Sequence, residues 1–364
     1  MPLTLPYVPF AASQTLSSAA HRKSYAQASI GAPALIGAAA LLFVALTFGQ
    51  KSAEAMLHSS TSKSDLYGPL TGCTAARYSS KNCCTTLVQP ANSNSYLVML
   101  GGLSDGLLPT PYTSLLASKC AENSWNFVNP ILRSSYNQFG FGSLDEDVED
   151  LDDLIEFLKG DTEGAERGDF KLILVGHSTG CQQIVHFLRK AALAKEVVDG
   201  VFLQAPVSDR ESQPNSSFCS VAEEMVKSGK GDEFMPRSCM WSPITANRFA
   251  SLYSARADGD DYFSSDLTDG ELASRLGHVK KMVSDDEAKL SFCVAAFSMK
   301  DEYVPENVDK DAIVDRLAAI GGMEPLKLDG THNLMPAVEA AVDSQKKLAH
   351  ELFCDKVAEK LKVL

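Results

Sequence analysis

Residues 171–181 read KLILVGHSTGC, an apolar run that closes on Gly176-His177-Ser178-Thr179-Gly180. Leu172 to Val175 are β-prone and short enough for a buried strand, and Gln182 to Leu193 place Ile184, Val185, Phe187, Leu188 and Ala192 on one side of a helix. Strand, sharp turn and helix make the context in which G-x-S-x-G becomes a nucleophile elbow. The serine then sits on a strained turn with its hydroxyl above the sheet, and the glycines two residues away on either side let backbones pass closely. The five-letter pattern alone is weak, because glycines also flank serines in ordinary loops. The test is whether an acid and a histidine follow in the order Ser, Asp, His.

Both follow. Leu290 to Phe297 predict a late strand, and SMKDEYVP (298–305) places Asp301 just beyond it. Leu326 to Leu328 predict one more short strand, and DGTHNL (329–334) sets His332 on the loop after it. In this arrangement His332 takes the proton from Ser178 as the hydroxyl attacks a carbonyl, and Asp301 fixes the imidazole tautomer. Asp209, after the strand predicted at Gly200 to Ala205, is a rival acid, and Asp301 also has a bland reading as a turn or capping residue. His186 and His350 fall on helices, His278 in an inserted stretch, and His177 at a variable elbow position. An oxyanion hole takes one N–H from the residue after the nucleophile, Thr179, and one from the loop after an earlier strand. Tyr96 to Leu100 are that strand and Gly101-Gly102-Leu103-Ser104-Asp105-Gly106 that loop, so Gly102 or Leu103 is the second donor. The same glycines also suit a plain β-to-α turn.

Strands alternating with helices predict an α/β protein with a mostly parallel sheet covered on both faces. Thr110-Pro111 predict the start of one helix and Asn123 to Val128 the next strand. Ser143-Leu144-Asp145-Glu146 is a capping box opening a helix to about Lys159. The acids of that helix read as a solvated face and not a calcium loop, since the glycine turn of such a loop is missing. Residues of about 211–288 break the rhythm. They are more polar and richer in Gly and Met, and are expected to form a cap over the active site that selects the substrate. A final helix is predicted from Ala337 to Leu361.

With 364 residues and 45% hydrophobic content the chain buries a substantial core. A net charge of -13 without a basic stripe argues against nucleic-acid partners. Nine cysteines without a C-x-x-C spacing argue against a zinc ribbon or a thioredoxin-like site. Cys181 and Cys293 read as buried small apolar residues; Cys73, Cys83, Cys84, Cys120, Cys219 and Cys239 are disulfide candidates in an oxidising lumen. No metal or cofactor is expected.

Residues 1–53 hold no acid, and Arg22-Lys23 precede an uncharged stretch from Ser24 to Gln50. The apolar part, about 29–49, is long enough to span a bilayer as a helix. Residues 1–61 are therefore expected to be a targeting segment and linker, with a single-pass membrane anchor favoured over a cleaved plastid or secretory leader, and 62–364 the catalytic domain. Asn215-Ser216-Ser217 is a glycosylation sequon with meaning only in a secretory lumen.

YLVMLGGLSDGLLPTPY, ILRSSYNQFGFGSLDED, LVGHSTGCQ, LQAPVSDRE, GDDYFSSDL, SMKDEYVP and GTHN occur in collinear order over about residues 66–360. Together they resemble the α/β-hydrolase family of the fungal siderophore esterases. The resemblance implies an α/β-hydrolase fold, cleavage of esters of fusarinine-type hydroxamate siderophores, and a triad of Ser178, Asp301 and His332. Asp105, Arg210, Asp260 and Asp261 match family motifs with no role assigned. The chain departs from the family's usual form in its N-terminal hydrophobic segment and its Cys83-Cys84 region. The expected function is a serine esterase acting on a small-molecule carboxylic ester. The alternatives are an acyl-ester hydrolase at a membrane surface and a non-catalytic ligand-binding protein of the same fold.

Overall fold

The computed structural model describes residues 66–160, 170–212, 216–255, 259–336 and 347–364. Eight strands form one sheet: β1 (Thr74–Arg77), β2 (Thr85–Gln89), β3 (Ser95–Leu100), β4 (Asn126–Ile131), β5 (Lys171–His177), β6 (Gly200–Gln204), β7 (Phe292–Ser298) and β8 (Glu324–Leu328). Their order across the sheet is β1-β2-β4-β3-β5-β6-β7-β8. The six strands from β4 to β8 in that order are parallel, and β1 and β2 add an antiparallel edge. The helices are α1 (Thr113–Glu122), α2 (Leu144–Gly160), α3 (Thr179–Lys190), α4 (Ala194–Val197), α5 (Asp209–Ser212), α6 (Ser216–Lys227), α7 (Ala246–Tyr253), α8 (Asp269–Ser284), α9 (Lys310–Gly321) and α10 (Ala349–Leu361). This is the α/β-hydrolase architecture expected from the sequence.

The central strands are apolar on both sides, as parallel strands covered on two faces must be. Tyr96, Val98 and Leu100 of β3, with Leu172 and Leu174 of β5, pack into the cluster that includes Leu151, Leu154, Ile184, Phe187, Leu276 and Leu317. Leu97, Met99, Ile173 and Val175 turn to the opposite cluster with Tyr112, Leu116, Phe353 and Val357. One face is thus covered by α2, α3, α8 and α9, the other by α1 and α10. Cys181 and Cys293 are buried in the first cluster, and all nine cysteines are free thiols.

Between β6 and β7 the chain leaves the sheet. Ala222, Met235, Ile244, Phe249, Leu252 and Tyr253 gather around Phe139 in a separate apolar cluster. α8 departs from it and packs Leu272, Leu276, Val279 and Met282 against the sheet. The separate cluster therefore involves α6, α7 and the chain between them, a shorter stretch than the whole of 211–288.

Several expectations are corrected. The helix predicted from Thr110 begins at Thr113, because Thr110 is held in a preceding turn by its own N–H to Thr113 Oγ1 and by Thr113 N–H to its carbonyl. The membrane-anchor expectation finds no support in the structure. Among the described residues no helix is long and apolar enough to cross a membrane. The longest, α2, has 17 residues and carries Asp145, Glu146 and Asp147 in its first turn. The stretch 29–49, the sequon's Asn215 and residues 337–346 of the predicted last helix lie outside the described residues.

Candidate active site

Ser178 joins β5 to α3 with φ 54° and ψ −121°. A left-handed conformation at a residue with a side chain costs about 1–3 kcal/mol and persists only where the surroundings enforce it. They do so here. Ser178 N–H donates to the Gln204 carbonyl at 3.0 Å, and its carbonyl accepts from Cys181 N–H at 2.8 Å. The flanking glycines are required by contact. A Cβ on Gly176 would lie 2.5 Å from the Gly180 carbonyl oxygen, and one on Gly180 would lie 2.8 Å from the carbonyl oxygens of both Leu100 and Gly101. Three backbones therefore meet at the elbow, and no other residue type fits at either position.

His332 follows β8 on a loop fixed from several sides. Its N–H donates to Glu302 Oε2 at 2.9 Å, and its carbonyl accepts from Gln204 Nε2 at 3.1 Å. Its Nδ1 lies 2.7 Å from Asp301 Oδ2. Asp301, one turn past β7, is buried, and its second oxygen accepts from Tyr303 N–H at 2.9 Å. An ionised carboxylate only accepts, so Nδ1 carries the proton and Nε2 is left as the basic nitrogen. The Tyr303 ring meets the imidazole edge-on at 4.6 Å between centroids.

A cavity of about 370 Å³ opens over Ser178 and is lined also by His332, Gly102, Leu103, Asp209 and Trp241. The structure thus brings together Ser178, His332 and the Gly102–Leu103 loop, with Asp301 behind the histidine. The loop touches the serine directly: a Cβ on Gly102 would lie 2.8 Å from Ser178 Cβ. The two expected loop donors differ. Gly102 N–H is taken by Asp105 Oδ2 at 2.7 Å, whereas Leu103 N–H has no acceptor among the described residues. Thr179 N–H belongs to the first helical position, where no intrahelical acceptor exists. Asp105, a family-motif residue without an assigned role, thereby shapes the loop. Burial raises its pKa, while the Gly102 N–H pulls it down.

The rival acid Asp209 does not hold His332. Its Oδ2 accepts from Gln182 Nε2 at 2.7 Å. The other family-motif residues tie the inserted stretch to the core. Arg210 pairs with Asp261 at 2.8 Å and with Asp266. Asp260 pairs with buried Arg248, whose Nε donates to the Phe139 carbonyl at 2.9 Å.

Residues passed over in the sequence complete the site. Gln204, at the end of β6, accepts from Tyr112 OH at 2.7 Å and faces His177 Nδ1 at 2.6 Å, while its amide nitrogen reaches Ser298 Oγ and the His332 carbonyl, each at 3.1 Å. Because Gln204 Oε1 accepts, His177 carries its proton on Nδ1. Burial and the neighbouring His332 push its pKa down to about 3, so it stays neutral. A glutamine closing an apolar strand was the available signal, since a buried amide needs several partners.

A family profile described as "Protein of unknown function (DUF1749)" matches residues 67–362. The chain belongs to this family. A UPF0613 protein of Schizosaccharomyces pombe is 31% identical over 284 residues, covering 72% of this chain and 87% of that protein. The fusarinine C esterase of Aspergillus fumigatus is 30% identical over 267 residues, covering 60% of this chain and 74% of the esterase. Among solved structures, a siderophore hydrolase, EstB from Aspergillus fumigatus, superposes with a TM-score of 0.64 at 25% identity, covering 82% of this chain and 99% of the hydrolase. The resemblance to siderophore esterases read from the sequence is borne out by these relatives. For the DUF1749 family, the elbow, the Gly102 loop and the His332 loop all fall inside the matched residues.

Proposed function

We propose that this chain hydrolyses carboxylic esters with Ser178 as nucleophile, His332 as general base and acid, and Asp301 as the group that orients His332. An ester hydrolase is what an α/β-hydrolase fold with esterases among its relatives is. The observation that carries the residue roles is the 2.7 Å contact of His332 Nδ1 with buried Asp301, in a site whose cavity also holds the strained Ser178. His332 Nε2 takes the proton as Ser178 Oγ adds to the ester carbonyl. The oxyanion is held by the N–H groups of Thr179 and Leu103. Collapse expels the alcohol, which receives its proton from His332, and water then attacks the acyl-enzyme by the same route. Asp301 stabilises the imidazolium and keeps its negative charge throughout.

The substrate class supported by the relatives' names is a hydroxamate siderophore ester of the fusarinine type. The wide, polar-floored cavity suits an ester within a larger polar molecule. The test is an ester panel, including iron-loaded and iron-free hydroxamate siderophores, together with fluorophosphonate labelling. Wild-type protein is expected to be labelled and Ser178→Ala to be unlabelled and inactive. Labelling that persists in Ser178→Ala would overturn the nucleophile, and turnover confined to simple acyl esters would overturn the siderophore class.

A further inference from the structure

We infer that Asp209 forms a subsite for a protonated amine carried by the substrate, one helical turn beyond Ser178 in the same cavity; this deepens the ester-hydrolase reading and rests on it. Asp209 lines the cavity that holds Ser178 and His332. Its Oδ2 is fixed by Gln182 Nε2 at 2.7 Å. Gln182 lies four residues after Ser178 on α3, which sets it about 6 Å further along the helix axis. The other oxygen, Oδ1, has no hydrogen-bond partner among the described residues.

Nor is the carboxylate neutralised by a direct ion pair. The buried cation near it, Arg248, is committed to Asp260 and to the Phe139 carbonyl. Burial pushes the Asp209 pKa up to about 6; the attraction of Arg248 lowers it only through space and is opposed by the neighbouring Asp260, so the group is ionised at neutral pH. No Lys or Arg lines the cavity among the described residues. Of the other ionisable groups there, Asp105 is engaged by Gly102 N–H, His177 is neutral and His332 is paired with Asp301. Asp209 is therefore a held carboxylate with one oxygen unpartnered in a cavity without a fixed cation. Trp241 and Tyr253 line the same space, and aromatic faces attract a cation as the carboxylate does. A charged hydrogen-bond acceptor beside aromatic walls suits an ammonium group, which brings both charge and donors. A substrate carboxylate at that position would be repelled.

The experiment uses the full chain and three esters of one acid and one alcohol skeleton, differing at one remote substituent: ammonium, methyl or carboxylate. Wild type is expected to prefer the ammonium ester over the methyl ester by about tenfold or more in kcat/KM, chiefly through KM, with the carboxylate ester poorest. Asp209→Asn keeps the size and an acceptor for Gln182 but removes the charge. It is expected to lower the ammonium-to-methyl ratio by about tenfold and to raise the relative turnover of the carboxylate ester. The free amino alcohol is expected to inhibit wild type about tenfold more strongly than its methyl counterpart, a readout that needs no variant. A wild type that cleaves the methyl ester without preferring the ammonium ester overturns the subsite while leaving ester hydrolysis standing, as does a ratio unchanged in Asp209→Asn. Failure of wild type to cleave any of the three overturns the ester reading and the subsite with it.

Discussion

A methyl group on Gly102 would lie 2.8 Å from Ser178 Cβ and 3.3 Å from its hydroxyl oxygen. Gly102→Ala is therefore expected to lower kcat by about 10–100-fold through displacement of the nucleophile or the oxyanion loop. Circular dichroism showing an intact fold, set beside steady-state kinetics, checks this. Asp301→Asn keeps the size of the side chain but removes its charge and, with its one oxygen held by the Tyr303 N–H, turns a donor towards His332 Nδ1, which disfavours the working tautomer. Its kcat is expected to fall by about 10³–10⁴-fold with KM little changed. At this scale the sequence was most informative where chemistry demands an order of residue types. Ser178, Asp301 and His332 each follow a predicted strand, and the structure places His332 and Asp301 in contact. Gln204, Glu302 and Asp105 were not legible as supports, because their roles rest on particular side-chain hydrogen bonds, Gln204 to Tyr112, His177, Ser298 and the His332 carbonyl, Glu302 to the His332 N–H and Asp105 to the Gly102 N–H, and such bonds leave no periodic pattern.

At the scale of elements, close packing of backbone on backbone decides what is tolerated. Gly180→Ala would push Cβ to 2.8 Å from two carbonyl oxygens of the β3 end. It is expected to lower stability by about 1–3 kcal/mol through overpacking, read from urea unfolding. The capping box of α2 is present: Glu146 N–H donates to Ser143 Oγ at 3.2 Å, and Ser143 N–H to Glu146 Oε2 at 3.0 Å. Ser143→Ala is expected to cost about 1 kcal/mol in the same assay. Central strands and long helices were legible because burial on two faces, or on one stripe, imposes a hydrophobic period. The edge strands β1 and β2 escaped notice for the converse reason. Thr74, Ala75 and Arg77 of β1 are exposed, so nothing forced an apolar pattern on them. The start of α1 was misplaced because Thr110 and Pro111 resemble a cap, whereas side-chain bonds between Thr110 and Thr113 make a turn there.

Across the whole molecule, buried charge governs how the inserted stretch is held together. Arg248 is 4% exposed and pairs with Asp260, itself 7% exposed. Removing the cation alone leaves a carboxylate without its partner, so Arg248→Met is expected to destabilise by about 3–5 kcal/mol, and Asp260→Asn added to it to recover part of the loss. A thermal unfolding series of the two single variants and the double variant checks this. Asp147 adds a pH dependence. Burial pushes its pKa up to about 6, although Ser134, Arg248 and Gln183 pull it down. A carboxyl group raised on folding contributes stability that is fully present below its unfolded value near 3.8 and is lost as pH rises through 6. Unfolding midpoints across pH 4–7 are expected to fall more steeply in wild type than in Asp147→Asn. None of this coupling was legible in the sequence, since Asp147 on α2 is distant in the chain from Arg248, and the inserted stretch has to fold back on itself to bring Asp260 to Arg248.

The inserted stretch packs its apolar cluster around Phe139 and is tied to the core by the Arg210–Asp261 pair and by Arg248 Nε donating to the Phe139 carbonyl. In the language of engineering, it is a transplantable part. A chimaera carrying residues 216–254 of a relative should fold if Arg248 and Asp260 are retained. Because Trp241 travels with the graft while Ser178, Asp301 and His332 stay with the sheet, such a chimaera separates the choice of ester from the act of cleaving it.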